Sequence, residues 1–193
     1  KEYRRQRQMC IRDRIKGYPR LTEVGAWREQ TLVGHMSGDE ESWTFDGVRH
    51  GGSYSQEELR GLVEYARRRG IMIVPEIDLP GHMQAAVAAY PELGNFPEQQ
   101  VGVREVWGIS DHVLGVSDQV FDFLRDVLTQ VAGIFPAPYV HIGGDECPTG
   151  EWERSSQARA RMNEWGLTRV SEIQGRFTTC LLYTSDAADD TPC

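Results

Sequence analysis

No apolar run in the 193 residues approaches the roughly 20 needed to cross a bilayer, so no transmembrane helix is expected. Basic charge is in deficit: 21 Lys and Arg stand against 29 Asp and Glu, a net charge of -8. Without a dominant basic surface to neutralise phosphates, nucleic acid is not the expected partner. Cysteine is scarce and badly placed for a disulfide framework. Of the 4 cysteines, Cys10, Cys180 and Cys193 lie in compositionally odd ends, which leaves Cys147 alone and no redox compartment to read. No signal peptide opens the chain, an absence that decides nothing for a truncated one. Also missing are a dinucleotide fingerprint, a P-loop and a two-histidine H-E-x-x-H spacing. What remains, at 39% hydrophobic and 26% charged residues, is ordinary globular composition.

The two ends differ from the middle. Residues 1–14, "KEYRRQRQMCIRDR", are arginine-rich and aperiodic, and residues 180–193, "CLLYTSDAADDTPC", turn abruptly to Asp, Ala and Thr. Both look like translated adapter read-through, the alternative being a basic arm and an acidic tail. The fold is therefore expected in residues 15–179. Residues 15–54 are rich in turn formers. Ser55 then offers an N-cap with Glu58 three residues on, a capping box. Leu59, Leu62, Val63 and Ala66 follow at helical spacing, and Gly70 closes the helix. "IMIVPEID" comes next, a short apolar run of the kind that buried parallel strands use. A short helix over 84–90, a long loop over 95–116, a helix from Ser117, a second strand "YVHI" and helices over 151–164 and 168–179 complete the pattern. Strands separated by helices imply parallel β/α units, in which chemistry sits just past the strand ends.

Two clusters occupy such positions. Glu76, Asp78 and His82 lie in "PEIDLPGH", and His141, Asp145 and Glu146 lie in "HIGGDE". Neighbouring side chains on an extended backbone point opposite ways, so Asp145 and Glu146 are able to reach different parts of one ligand. Two carboxylates in different surroundings can hold different protonation states, one ionised and one a proton donor. That division suits cleavage of a glycosidic bond, whose transition state is oxocarbenium-like. The bland reading is a solvated loop with acids flanking a turn.

"YPRLTEVGAWR", "VPEIDLPGH", "WGISDHVL" and "HIGGDECP" together resemble the catalytic domain of family-20 glycoside hydrolases, the β-N-acetylhexosaminidases, over about Ile15 to Thr179. The resemblance implies a partial (β/α)8 TIM barrel, roughly strands 3 and 4 of eight with their helices. It makes residues 15–179 a partial catalytic domain between artefact-like arms at 1–14 and 180–193. It implies an exo-acting, retaining enzyme that removes terminal β-linked GlcNAc or GalNAc from oligosaccharides or glycoconjugates. The resemblance implies no cofactor and no metal. Glu146 would be the general acid and base, and Asp145 would orient the substrate's 2-acetamido group, whose carbonyl oxygen is the nucleophile. Asp78 would hold the His82 imidazole, which tunes Glu146. His141, Glu76, Trp107 and Trp152 are candidates for supporting roles or sugar contact, with plain packing the rival reading for each. Family members are often secreted, periplasmic or lysosomal, and the sequence does not choose among these.

Two other functions stay open. One is a non-catalytic carbohydrate-binding fragment, because a whole barrel takes roughly 250 residues. The other is a metal-dependent barrel hydrolase using the same Asp, Glu and His side chains.

Overall fold

The computed structural model describes residues 14–36 and 38–185. The basic arm at 1–13 and the last residues, 186–193, lie outside them. Helix α1 (Arg20–Glu23) leads into strand β1 (Trp27–Arg28), which pairs antiparallel with β2 (His50–Gly51), Trp27 opposite Gly51. Helix α2 (Gln56–Arg67) starts as its sequence requires. The Ser55 hydroxyl accepts from the Glu58 amide at 3.2 Å, and the Glu58 carboxylate accepts from the Ser55 amide at 2.7 Å. Helices α3 (Gln84–Ala89), α4 (Asp118–Ala132), α5 (Gly150–Arg154), α6 (Ser156–Glu164) and α7 (Ile173–Ser185) follow.

The core is built around α4 and α7. Val120, Phe121, Phe123, Leu124, Val127 and Val131 are buried along α4, more of the helix than a single narrow stripe. They meet Ile173, Phe177, Cys180 and Leu181 of α7, with the Phe121 and Phe177 rings 5.1 Å apart. Tyr18 closes one end by edge-on contact with Phe123 at 4.9 Å, while its hydroxyl donates to Asp126 at 2.8 Å. Two boundaries differ from expectation. The helix expected over 151–164 is broken at Ser155, whose hydroxyl accepts from the Ala158 amide and caps α6 anew. The tail expected from residue 180 begins instead as the last turns of α7, because Cys180 and Leu181 continue that helix's apolar face into the core.

The two expected strands lie side by side and parallel. The His141 amide donates to the Pro75 carbonyl at 2.9 Å, Ile77 to His141 at 2.8 Å and Leu79 to Ile142 at 2.8 Å. Regular strand geometry is reduced to one parallel bridge, Glu76 with His141. Their beginnings are bare: Met72 is 59% exposed and Tyr139 69%. Apolar parallel strands are stable when covered on both faces, and among the described residues nothing covers this part of the pair. The ends of the two strands, by contrast, are well anchored, and the candidate site lies there.

Candidate active site

The loops after the two strands are bound to each other through glycines. Gly143 has φ +66, and a Cβ there would lie 1.8 Å from Asp78 Oδ1 and 2.7 Å from Asp78 Cα. Only a glycine lets the "GGDE" backbone approach the "EID" strand so closely. The Asp78 carboxylate uses this proximity, its Oδ1 accepting from the Gly144 amide at 3.0 Å. A Cβ on Gly81 would meet the Glu146 carbonyl at 3.1 Å, so the "PGH" turn is pressed against the acid pair in the same way.

The contact brings the two sequence clusters together. His82 Nε2 lies 3.1 Å from Glu146 Oε2. The imidazole is mostly buried, whereas half of the Glu146 side chain faces solvent. Among the described residues these two are the only non-glycines with positive φ, at 55° for His82 and 51° for Glu146. A left-handed backbone at an ordinary residue costs about 1–3 kcal/mol and persists only where the surroundings impose it. Such strain gathers at functional sites, and here it falls on both partners of one hydrogen bond. That nitrogen can donate to an ionised Glu146 or, in the other tautomer, accept from a protonated one.

Asp78 takes a different place from the one expected. Its Oδ2 is 4.0 Å from the same His82 nitrogen that meets Glu146, too far for a hydrogen bond, and its close partner is the Gly144 amide. Asp78 therefore ties down the loop, and its carboxylate lies beside the His82 ring without a hydrogen bond to it. Burial raises the pKa of Asp78. The Gly144 N–H and His82 offset part of that shift, and the nearby Asp145 and Glu76 charges add to it. Asp145 is exposed beside Glu146. His141 Nδ1 accepts from the Gly143 amide at 3.1 Å and lies 3.4 Å from Glu76 Oε1. A nitrogen that accepts one bond cannot donate another, so a hydrogen bond from Nδ1 to Glu76 would replace the one it accepts from Gly143. Burial, with Asp78's charge adding, pushes the Cys147 thiol up to about 12, which makes it a packed thiol rather than a nucleophile.

The two tryptophans part company. Trp107 is 45% exposed, edge-on to His35 with 5.9 Å between rings, on a loop shaped by Arg104 donating to the Ile109 carbonyl at 2.8 Å. Trp152 is fully buried and its ring N–H donates to the Leu114 carbonyl at 2.9 Å, so no sugar face reaches it. Sequence reasoning missed the neighbouring network. Glu151 is 5% exposed, its Oε1 2.8 Å from His112 Nδ1 and its Oε2 accepting from Asn95 at 3.1 Å and from the Val113 amide at 3.2 Å. The available signal was an acid placed directly before a buried tryptophan. Gln174 was also missed. Its side-chain amide donates to the Gly144 carbonyl at 2.6 Å, and a polar residue in a helix's first turn gives no hint of that reach. Among the described residues no group of three or more His, Cys, Asp or Glu side chains is arranged to hold a metal ion, and no helix is long and apolar enough to cross a membrane.

The sequence model described as glycosyl hydrolase family 20, catalytic domain, matches residues 10–191. The chain belongs to that family. A β-hexosaminidase of Porphyromonas gingivalis is 43% identical over 164 residues, which cover 84% of this chain and 19% of that protein. One from Vibrio furnissii is 40% identical, covering 84% of this chain and 26% of that protein. The chain thus spans about a fifth to a quarter of the length of these curated relatives. A crystal structure of a β-N-acetylhexosaminidase superposes with a TM-score of 0.79 at 32% identity, covering 93% of this chain and 37% of that one. The Vibrio harveyi family-20 exo-β-N-acetylglucosaminidase, crystallised with N-acetylglucosamine, gives a TM-score of 0.71 at 38% identity, covering 89% and 26%. These family-20 catalytic domains are TIM barrels, and the described residues are a partial piece of one.

Proposed function

We propose that this segment supplies the acid–base side of an exo-acting β-N-acetylhexosaminidase. The observation that carries the reading is the 3.1 Å contact between His82 and Glu146, made by two strained residues and flanked by Asp145. In the proposed reaction the substrate's acetamido oxygen attacks the anomeric carbon and the glycosidic C–O bond breaks. Glu146 gives its proton to the departing oxygen. Asp145 steadies the oxazolinium cation through its nitrogen. Water then opens the ring, returning a proton to Glu146, with net retention at the anomeric carbon. His82, by switching between donating to and accepting from Glu146, supports both of its states. Trp107, exposed beside the loop, is the candidate for contact with the sugar, and His141 with Glu76 supports the strand end. Terminal GlcNAc or GalNAc residues on oligosaccharides or glycoconjugates are the substrate class. The two strands correspond in this reading to the third and fourth of the eight. The segment alone is expected to have little activity, because the remaining barrel wall must close the sugar pocket.

The test uses the longest reading frame that carries the segment and an aryl β-N-acetylglucosaminide that releases a chromophore. Glu146→Gln should cut turnover by about 10²–10⁴-fold, the range that a positioned proton donor contributes. Asp145→Asn should also slow it. Near-wild-type turnover in Glu146→Gln would overturn the reading.

A further inference from the structure

The loop that presents Asp145 and Glu146 begins with two glycines, Gly143 at φ +66 and Gly144 at φ +105. Neither has a side chain to pack, so what fixes the loop must act on the backbone itself. Both polar groups of Gly144 are taken. Its N–H goes to Asp78 at 3.0 Å, and its C=O, which belongs to the peptide bond leading into Asp145, accepts from the Gln174 side chain at 2.6 Å. The two clamps come from different parts of the molecule. Asp78 is fixed by the neighbouring strand. Gln174 is carried by α7, which is seated in the core through Ile173 and Phe177, both fully buried. The helix sets the position of the amide and the amide sets the Gly144–Asp145 peptide plane. Because that plane fixes where the next two side chains start, a rotation there moves both carboxylates at once.

We propose that Gln174 is a positioning residue for the acid pair, acting through the Gly144 carbonyl and touching no substrate itself. The proposal rests on the reading of Asp145 and Glu146 given above. It adds that α7 takes part in setting the site's geometry, beyond its part in the core.

The test compares Gln174→Met and Gln174→Glu with wild type and with Glu146→Gln, in the longest reading frame carrying the segment. Met keeps the length of the side chain and removes the donor. A misplaced acid pair should lower kcat by about tenfold or more, since small errors in catalytic geometry are costly, while the melting temperature stays close to wild type. The loss should be larger for aryl substrates with poor leaving groups, which need proton donation, than for those with good ones. Gln174→Glu gives a second readout. An ionised carboxylate cannot donate to the carbonyl and a protonated one can, so its kcat relative to wild type should rise as pH falls, while that of Gln174→Met stays flat. Wild-type kcat in Gln174→Met would overturn the proposal. So would a loss that is equal for all leaving groups and tracks a fall in melting temperature. Should Glu146→Gln itself stay active, the failure lies in the functional reading and not in Gln174.

Discussion

Replacing Gly143 by alanine tests the packing that brings the two site loops together. The new methyl would start 1.8 Å from Asp78 Oδ1, 2.4 Å from Asp78 Cγ and 2.7 Å from Asp78 Cα. Swinging the carboxylate aside does not relieve the contact with Cα, which belongs to the main chain. Forcing a methyl into filled space costs about 1–3 kcal/mol. Holding alanine at φ +66 adds about 1–2 kcal/mol. If Asp78 turns away it also loses the Gly144 amide, worth about 0.5–1.5 kcal/mol. A stiffer unfolded chain returns about 0.4–1 kcal/mol. The expected destabilisation is about 2–5 kcal/mol, a fall in Tm of roughly 5–15 °C for a domain of this size. Turnover should fall as well, because relief of the clash displaces Asp145 and Glu146. The assay is thermal unfolding of the full-length chain followed alongside kcat on an aryl β-N-acetylglucosaminide. Gly61→Ala in the middle of α2 is the matched control. A Cβ there meets nothing within 4 Å, so it should raise stability by about 0.5–1 kcal/mol and leave kcat alone. A Gly143→Ala variant with wild-type Tm and turnover would refute the argument that close approach at this glycine builds the site.

Asp78→Asn should separate stability from activity. Burial raises the pKa of Asp78 in the fold, so the folded chain holds this proton to higher pH than the unfolded one. Stability from this group is present below the ordinary carboxylate value and is lost as pH rises through the raised one. Asparagine still accepts from the Gly144 amide, so at neutral pH the variant should melt no lower than wild type, with a flatter dependence on pH across the acid range. Its turnover should fall, because the charge beside His82 is gone. A variant that melts lower at neutral pH than at acid pH, relative to wild type, would contradict this. Cys147, with its thiol held near 12, should be about one part in ten thousand thiolate at mild alkaline pH. Peptide mass spectrometry should find it unmodified by iodoacetamide in the folded chain and modified after unfolding; rapid alkylation of the native protein would refute the burial argument.

The sequence by itself determined the local features. Ser55 with Glu58 forces a helix start, Ser117 begins another, and the glycines of "HIGGDE" announce a backbone that must approach something closely. It also placed His82 and Glu146 past strand ends, where a parallel arrangement points them together. These are short-range signals, set by capping chemistry and by backbone sterics within a few residues. Tertiary structure alone decided who meets whom over long separations. Nothing near Asp78 in the chain says that its bond goes to Gly144 rather than to the ring of His82. Nothing near Gln174 says that it reaches the carbonyl ahead of Asp145, and Trp107 and Trp152, alike in sequence, differ because only one sits beneath the 113–116 loop. Hydrogen bonds and burial of this kind depend on where separate elements pack, and helical or extended periodicity carries no record of the distance between them.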